Sequence, residues 1–386
     1  MARSNGPEVY RGRRKKLNVL GIVLGALVVL ALLLVVLFFG LQKYIVFEHD
    51  GISVILPGAE TVQEQEGTTV VDGLTQVNAT LNITDPDYSS LPDSAGEGLG
   101  TYIGIFVPAE DVNLSDIGKY VDVMSTYSAN ALVLEVKPAS GQLVWNSSSE
   151  TAAAYGLSGS TDLAQLVSAL RSDDPEVYLV AQLSCCIDGM LASRNPSTAL
   201  YIAGGGAYSD DQGAWLDPYS DIVRSYLTEL STELVELGFD ELLYKGLALP
   251  STGAQVSFNV QLSSTPTPTT AICGLAMELT NALSGYDVPV SVILDANSLR
   301  NGLADLSGQN TEVFGKLFDR LCSVTDSAWQ SGVDLASVDQ DLQNGDLTAR
   351  YVPICSYVPE GFPTTIVQVP DTVLPADEPA DSAAPQ

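Results

Sequence analysis

Glu135, Asp188, Asp217, Asp295 and Asp326 stand at or just beyond the ends of apolar runs, or at the head of a long helical segment. Lys137, Lys245, Trp215, Trp329 and Asn297 occupy the same kind of place. Carboxylates with aromatic platforms suit a sugar site. One acid protonates the glycosidic oxygen, and a second attacks carbon or activates water from about 5–9.5 Å away. The pattern is weakly diagnostic alone, because 46 acidic residues follow Lys16 and several must fall on loops by chance. Asp217 also precedes Pro218, the arrangement of a helix N-cap followed by proline at the first helical position. Trp215 serves equally as platform or core.

Lys245 sits near the end of "FDELLYKGLALP" and admits several chemistries. Desolvated among Leu243 and Leu247, it would have a depressed pKa and could act as a Schiff-base amine. Pointing inward, it would instead meet Glu135 of another strand as a buried ion pair. Asp240 and Glu241 begin the same run and are expected in solvent. The five cysteines include no CxxC and read as small buried apolar residues, with one long-range bridge left open. The only histidine is His49, which argues against His-ligated zinc and Ser-His-Asp catalysis. No metal or cofactor is implied.

The elements that would hold these residues repeat. Apolar runs at 101–108, 131–138, 177–184, 241–250, 288–296, 323–329 and 349–357 suit strands covered on both faces. Helical-period segments lie between them, opened by Ser115–Asp116, Thr161–Asp162 and Asp217–Pro218 and closed in the last case by Gly238. Strand and helix alternating over about 255 residues predict a parallel α/β fold. The length fits a (β/α)8 TIM-like barrel, complete or incomplete: seven strands are clear, and the eighth is missed, absent or hidden in Gly332–Val338. An open doubly wound sheet is the alternative, but "FVPAEDVNLSD" lacks the glycine-rich phosphate loop, and the glycines of Ala203–Tyr208 read as a turn. In a barrel the chemistry belongs at the C-terminal ends of the strands.

Outside the barrel, residues 1–16 form a basic tail and 17–41 a signal anchor. Val19–Leu41 is 23 uncharged, mostly aliphatic residues, enough for one transmembrane helix. The basic cluster before it puts the N-terminus in the cytoplasm and the rest beyond a cell membrane. No small-x-small cleavage site follows. Residues 42–98 read as a β-rich juxtamembrane segment, with a hairpin turning at Asp50–Gly51, and a linker. The barrel is expected over 99–358 and a disordered acidic, Pro-rich tail over 359–386. A net charge of −30 excludes nucleic acid as a partner. A cell-wall or other polysaccharide remains, with the membrane held through Val19–Leu41.

Several stretches resemble the glycosyl hydrolase family of domain DUF4015, TIM barrels distantly similar to family 13 glycosidases. They are "GTYIGIFVPAEDVN", "NALVLEVKPASGQLVW", "YLVAQLSCCIDGMLASRNP", "GAWLDPYSDIVRSYLTELSTELVELGFDELLY" and "VPVSVILDANS". Glu135 stands in the place of that family's Asp on the second strand, and Trp215, Asp217, Pro218, Tyr219 and Ser220 match its W-x-DPYS motif. The resemblance places a catalytic Asp on the fourth strand, a tyrosine after it and an arginine nearby. Here those positions hold Lys245, Gly246 and Ala248. It therefore implies a degenerate glycoside hydrolase barrel that binds envelope glycan, with Lys137, Asp188, Trp215, Tyr219, Asn297 and Trp329 as ligand-binding residues. The alternatives are an active hydrolase using Glu135 with Asp217 or Asp295, and a Schiff-base enzyme acting through Lys245.

Overall fold

A computed structural model describes residues 45–48, 51–54, 98–202, 204–251, 256–258, 267–294, 306–325 and 350–375. The chain divides into two compact units, 1–78 and 79–386. In the first, Ile45–Glu48 pairs antiparallel with Gly51–Val54. Glu48 pairs with Gly51, so Gly51 belongs to the second strand rather than to the turn expected at Asp50–Gly51. Among the described residues no helix is long and apolar enough to cross a membrane; Val19–Leu41 lies outside them.

The second unit contains a closed barrel of eight parallel strands in chain order. They are β1 (Ile103–Val107), β2 (Ala131–Lys137), β3 (Tyr178–Ser184) and β4 (Glu241–Lys245). Then come β5 (Val290–Ile293), β6 (Arg320–Val324), β7 (Tyr351–Cys355) and β8 (Thr365–Val367). Helices α1 (Gly118–Tyr127), α2 (Glu150–Tyr155), α3 (Leu163–Asp173), α4 (Gly189–Arg194), α5 (Asp221–Glu236), α6 (Pro268–Ala282) and α7 (Thr311–Leu317) lie between them.

Two apolar layers explain why the strands read as unbroken hydrophobic runs. Leu132, Leu134, Leu179, Ala181, Leu242 and Tyr244 point outward against α1, α3, α5 and α6. Their neighbours Val133, Val180, Leu243, Cys322, Val352 and Ile366 fill the barrel interior. Each fully buried aliphatic side chain contributes about 1.5–3 kcal/mol.

The caps work locally. Asp162 accepts from the Gln165 amide at the head of α3, and Thr267 from the Thr270 amide before Pro268 of α6. Asp217 is not the cap expected of it. Ser220 precedes α5, and Asp217 Oδ1 instead accepts from the Tyr219 amide at 2.8 Å, an Asx turn that sets Pro218 before the helix.

The missing strand lies later than expected. β8 is Thr365–Val367, past the boundary placed at 358, and it closes the barrel by pairing Thr365 with Ile103. It is short and its Thr-rich start resembles a polar connection, which hid it in the presumed tail. Gly332–Val338 lies outside the described residues. β6 also starts three residues before the run at 323–329, because Arg320 is an inward strand residue rather than the end of a helix.

Candidate functional site

The inner face of β2, β3 and β4 ends in three polar side chains, Glu135, Gln182 and Lys245. They continue the inward parity of Val133, Val180 and Leu243 toward the C-terminal mouth. Glu135 lies opposite Gln182 in the ladder, and Lys245 pairs with Ser184 one pleat further out. Glu135 Oε1 receives both contacts, Gln182 Nε2 at 3.4 Å and Lys245 Nζ at 3.5 Å. Both are long. The Lys245 side chain is 46% exposed against 13% for Glu135. The pairing expected between second and fourth strands is present, but at the open mouth rather than in a dry interior. The desolvation needed for a Schiff-base amine is therefore missing. Gly246 adopts φ +62°, which breaks the strand alternation, so Leu247 packs into the outer core and does not cover Lys245.

Lys137 has the same sequence parity as Glu135 yet faces the other way. The ladder slips between the two, with Glu135 opposite Gln182 and Lys137 opposite Leu183. Such a bulge re-aims the following side chain. Lys137 enters the layer outside the barrel, donates to the Ser184 carbonyl at 2.8 Å and lies 5.6 Å from the centre of the Tyr226 ring. Its partner is Asp188, Nζ to Oδ2 at 2.8 Å, with both side chains at 0% exposure. Asp188 Oδ1 also caps α4 by accepting from the Leu191 amide at 2.7 Å. Neither residue can touch a ligand there. They join the loops after β2 and β3, helped by Gly189 and Met190 amides donating to Ala139 and Ser140 carbonyls. Gly141 must be glycine, since it sits at φ +88° and a Cβ would come within 1.9 Å of Asp188 Oδ1.

The W-x-DPYS residues are also largely interior. Asp217 is fully buried and Trp215 is buried in the outer core, so the indole is not placed as a sugar platform. Tyr219 is half-buried, edge-on to Phe258 with ring centres 5.0 Å apart and beneath the Arg224 guanidinium. Asp295, Asn297, Asp326 and Trp329 lie outside the described residues, as does His49.

Among the described residues, some not singled out from the sequence also lie at this end of the strands. Gln182 bridges toward Glu135, and its parity, in register with Glu135 within an apolar run, would have identified it. Phe106 packs on the inner cluster, Val324 is exposed on the inward parity of β6, and exposed Tyr357 follows β7. All five cysteines are free and buried, as their spacing suggested. Burial pushes the Cys185 thiol well up and that of Cys186 to about 12.

At the barrel's other end Glu241 is fully buried, contrary to the solvated position expected for it. It accepts from Ser291 Oγ at 2.5 Å, Tyr178 Oη at 3.0 Å, Arg320 Nε at 3.1 Å and Tyr102 Oη at 3.2 Å. Burial raises its pKa, opposed by the Arg320 charge and its hydrogen bonds. Arg320 also donates to the Gly100 carbonyl at 2.6 Å, which closes the barrel floor. Asp240 pairs with Arg171 at 2.8 Å and is partly exposed. A cavity of about 770 Å³ opens beside this floor, lined by Tyr178, Asp240, Tyr286 and Asp319 among others. Its size suits a ligand. However, it lies at the strands' N-terminal end, and Tyr178 and Asp240 are already committed to Glu241 and Arg171. The mouth, where a parallel barrel keeps its chemistry, is the better candidate.

A family model described as "Putative glycosyl hydrolase domain" (DUF4015) matches residues 104–354. No curated protein matches the sequence. Among solved structures, the PgaB (BpsB) glycoside hydrolase domain from Bordetella bronchiseptica is 14% identical, covering 71% of this chain and 95% of that one at a TM-score of 0.52. A hypothetical protein from Ruminiclostridium thermocellum is 24% identical over 49% of this chain and 96% of that one, TM-score 0.42. The glycoside hydrolase domain of PelA from Pseudomonas aeruginosa is 14% identical over 66% and 84%, TM-score 0.36. At 14% identity the likeness to the PgaB domain is one of fold.

Proposed function

The chain belongs to the DUF4015 glycosyl hydrolase family, and from that premise we propose that its barrel binds glycan at the C-terminal mouth without ordinary hydrolysis. One observation carries the reading: the Lys245 ammonium sits 3.5 Å from Glu135 inside the mouth. Glycoside cleavage needs a second carboxylate to attack or to stabilise the oxocarbenium ion, and an ammonium does neither. Asp217 does not supply it, being fully buried and committed to the Tyr219 amide. Among the described residues, what remains is a polar cluster with donors and acceptors suited to sugar hydroxyls, with Phe106, Val324 and Tyr357 at the same end. The test is a turnover assay on a panel of cell-wall and storage polysaccharides. The expected result is no hydrolysis above background. Robust hydrolysis abolished by Glu135→Gln would overturn the reading in favour of an active hydrolase.

The placement proposed is extracytoplasmic, with Val19–Leu41 as a single uncleaved anchor and the N-terminus in the cytoplasm. Its support is the uncharged 23-residue run behind six basic residues. Protease added to intact cells should digest the barrel and spare the first 16 residues. Protection of the barrel would refute the topology.

A further inference from the structure

We propose that the mouth recognises an anionic glycan, a sugar polymer bearing carboxylate or phosphodiester groups, through the Lys245 ammonium, with Glu135 and Gln182 taking its hydroxyls. This rests on the glycan-binding reading of the same mouth. The starting observation is how loosely Lys245 is held. Lys119, Lys137, Arg171 and Arg320 hold their carboxylates at 2.8–3.1 Å. Lys245 stands 3.5 Å from Glu135 with 46% of its side chain exposed. A pair serving stability alone would close, as Lys137 and Asp188 do.

An ammonium carries three donors. The bond to Glu135 engages one of them, weakly. The side chain lies on the inward side of β4 and is 46% exposed, which leaves the others able to meet a ligand. Against a carboxylate or phosphate the ammonium adds the attraction of opposite charges to its hydrogen bond, which a neutral hydroxyl does not offer, so this position selects for an anion. Glu135 meets the Gln182 amide only at 3.4 Å and can turn to a sugar hydroxyl without losing a strong bond.

The overall charge of −30 does not forbid this. At physiological ionic strength charges are screened beyond about 8 Å, so the distant acidic surface acts weakly on an anion in the mouth. The like charge that matters is Glu135, 3.5 Å from the ammonium, and it is only 13% exposed against 46% for Lys245, so the anion meets the ammonium from the open side. The rim supplies apolar contact for sugar faces from Phe106 and exposed Tyr357.

The experiment is calorimetric titration of the full-length protein in detergent micelles. The probes are oligogalacturonides, glycerol-phosphate oligomers and neutral gluco-oligosaccharides of equal length. The proteins are wild type, Lys245→Met and Lys245→Arg. At least one anionic series should bind more tightly than the neutral one. Lys245→Met should weaken that series by about tenfold or more, a clearly larger loss than for any neutral binding, with Lys245→Arg restoring it. The two anionic arms separate a sugar carboxylate from a phosphodiester. Neutral oligosaccharides binding as well as or better than both anions, or an anionic affinity unchanged in Lys245→Met, overturns the inference while glycan binding stands. Failure of every oligosaccharide to bind overturns the glycan reading and the inference with it.

Discussion

Replacing Lys137 by Met removes the ammonium from a place where water cannot substitute for it. Asp188 would keep its α4 cap through Oδ1 and lose the charge 2.8 Å from Oδ2. Both side chains are at 0% exposure. Removing one member of a buried pair costs about 3–5 kcal/mol, because the other charge is left uncompensated. Asp188→Asn should cost a similar amount, this time by stranding the ammonium beside Tyr226. The double variant Lys137→Met with Asp188→Asn buries no charge, so its loss should fall below the sum of the single losses by about 2 kcal/mol or more. Urea unfolding followed by tryptophan fluorescence reads all four proteins, since Trp145 and Trp215 both lie in the outer core near these loops. In a thermal scan the single variants should melt lower by about 10 °C. Strict additivity, or single losses below about 1 kcal/mol, would show that the pair is not a coupled unit, and the buried staple between the β2 and β3 loops would be disproved.

Glu135→Gln and Lys245→Met should each change stability by less than about 1 kcal/mol, since a long pair open to solvent contributes little; the same urea titration decides, and a loss above about 2 kcal/mol would mean a dry pair. Arg320→Met should be strongly destabilising at neutral pH. Burial already raises the Glu241 pKa, and a raised carboxylate gives stability that is full below its unfolded pKa and lost as pH rises through the folded one. Without the opposing Arg320 charge that folded pKa rises further, so the deficit against wild type should shrink as pH falls from 7 toward 5; a deficit independent of pH would refute the cause. The five buried thiols should resist iodoacetamide in the native protein at pH 8 and all react in denaturant. Prompt native labelling of Cys185 or Cys186 would contradict their burial.

The fold was readable where strands were long. Seven apolar runs and the helices between them announced a barrel, because parallel strands buried on both faces must be apolar throughout. β8 escaped because Thr365–Val367 is three residues long and follows a stretch rich in Gly, Pro and Thr. The site was readable only as far as strict alternation holds. Glu135 and Lys245 met as parity predicted. Lys137 did not face them, because a bulge after Glu135 reversed its side, and Leu247 did not cover Lys245, because Gly246 turned left-handed. Bulges and single left-handed glycines leave no periodic trace in a sequence, so inferred site residues beyond such a point can land on the wrong face. Asp217 illustrates a different ambiguity, since Asx turn and N-cap both favour Asp before Pro-Tyr-Ser.

The two ends of the barrel interior treat the same side chain in opposite ways. At the floor Glu241 has four partners at 2.5–3.2 Å and no contact with solvent. At the mouth Glu135 has two contacts at 3.4 and 3.5 Å and keeps some exposure. A buried carboxylate must be saturated to be tolerated, which makes the floor a structural plug whose loss unfolds the barrel. A carboxylate near water has no such requirement, so loose coordination there costs the fold little. Substitutions at the two ends should therefore separate cleanly. Those at Glu241 and Arg320 should act on stability, and those at Glu135 and Lys245 should act on ligand affinity at nearly constant stability.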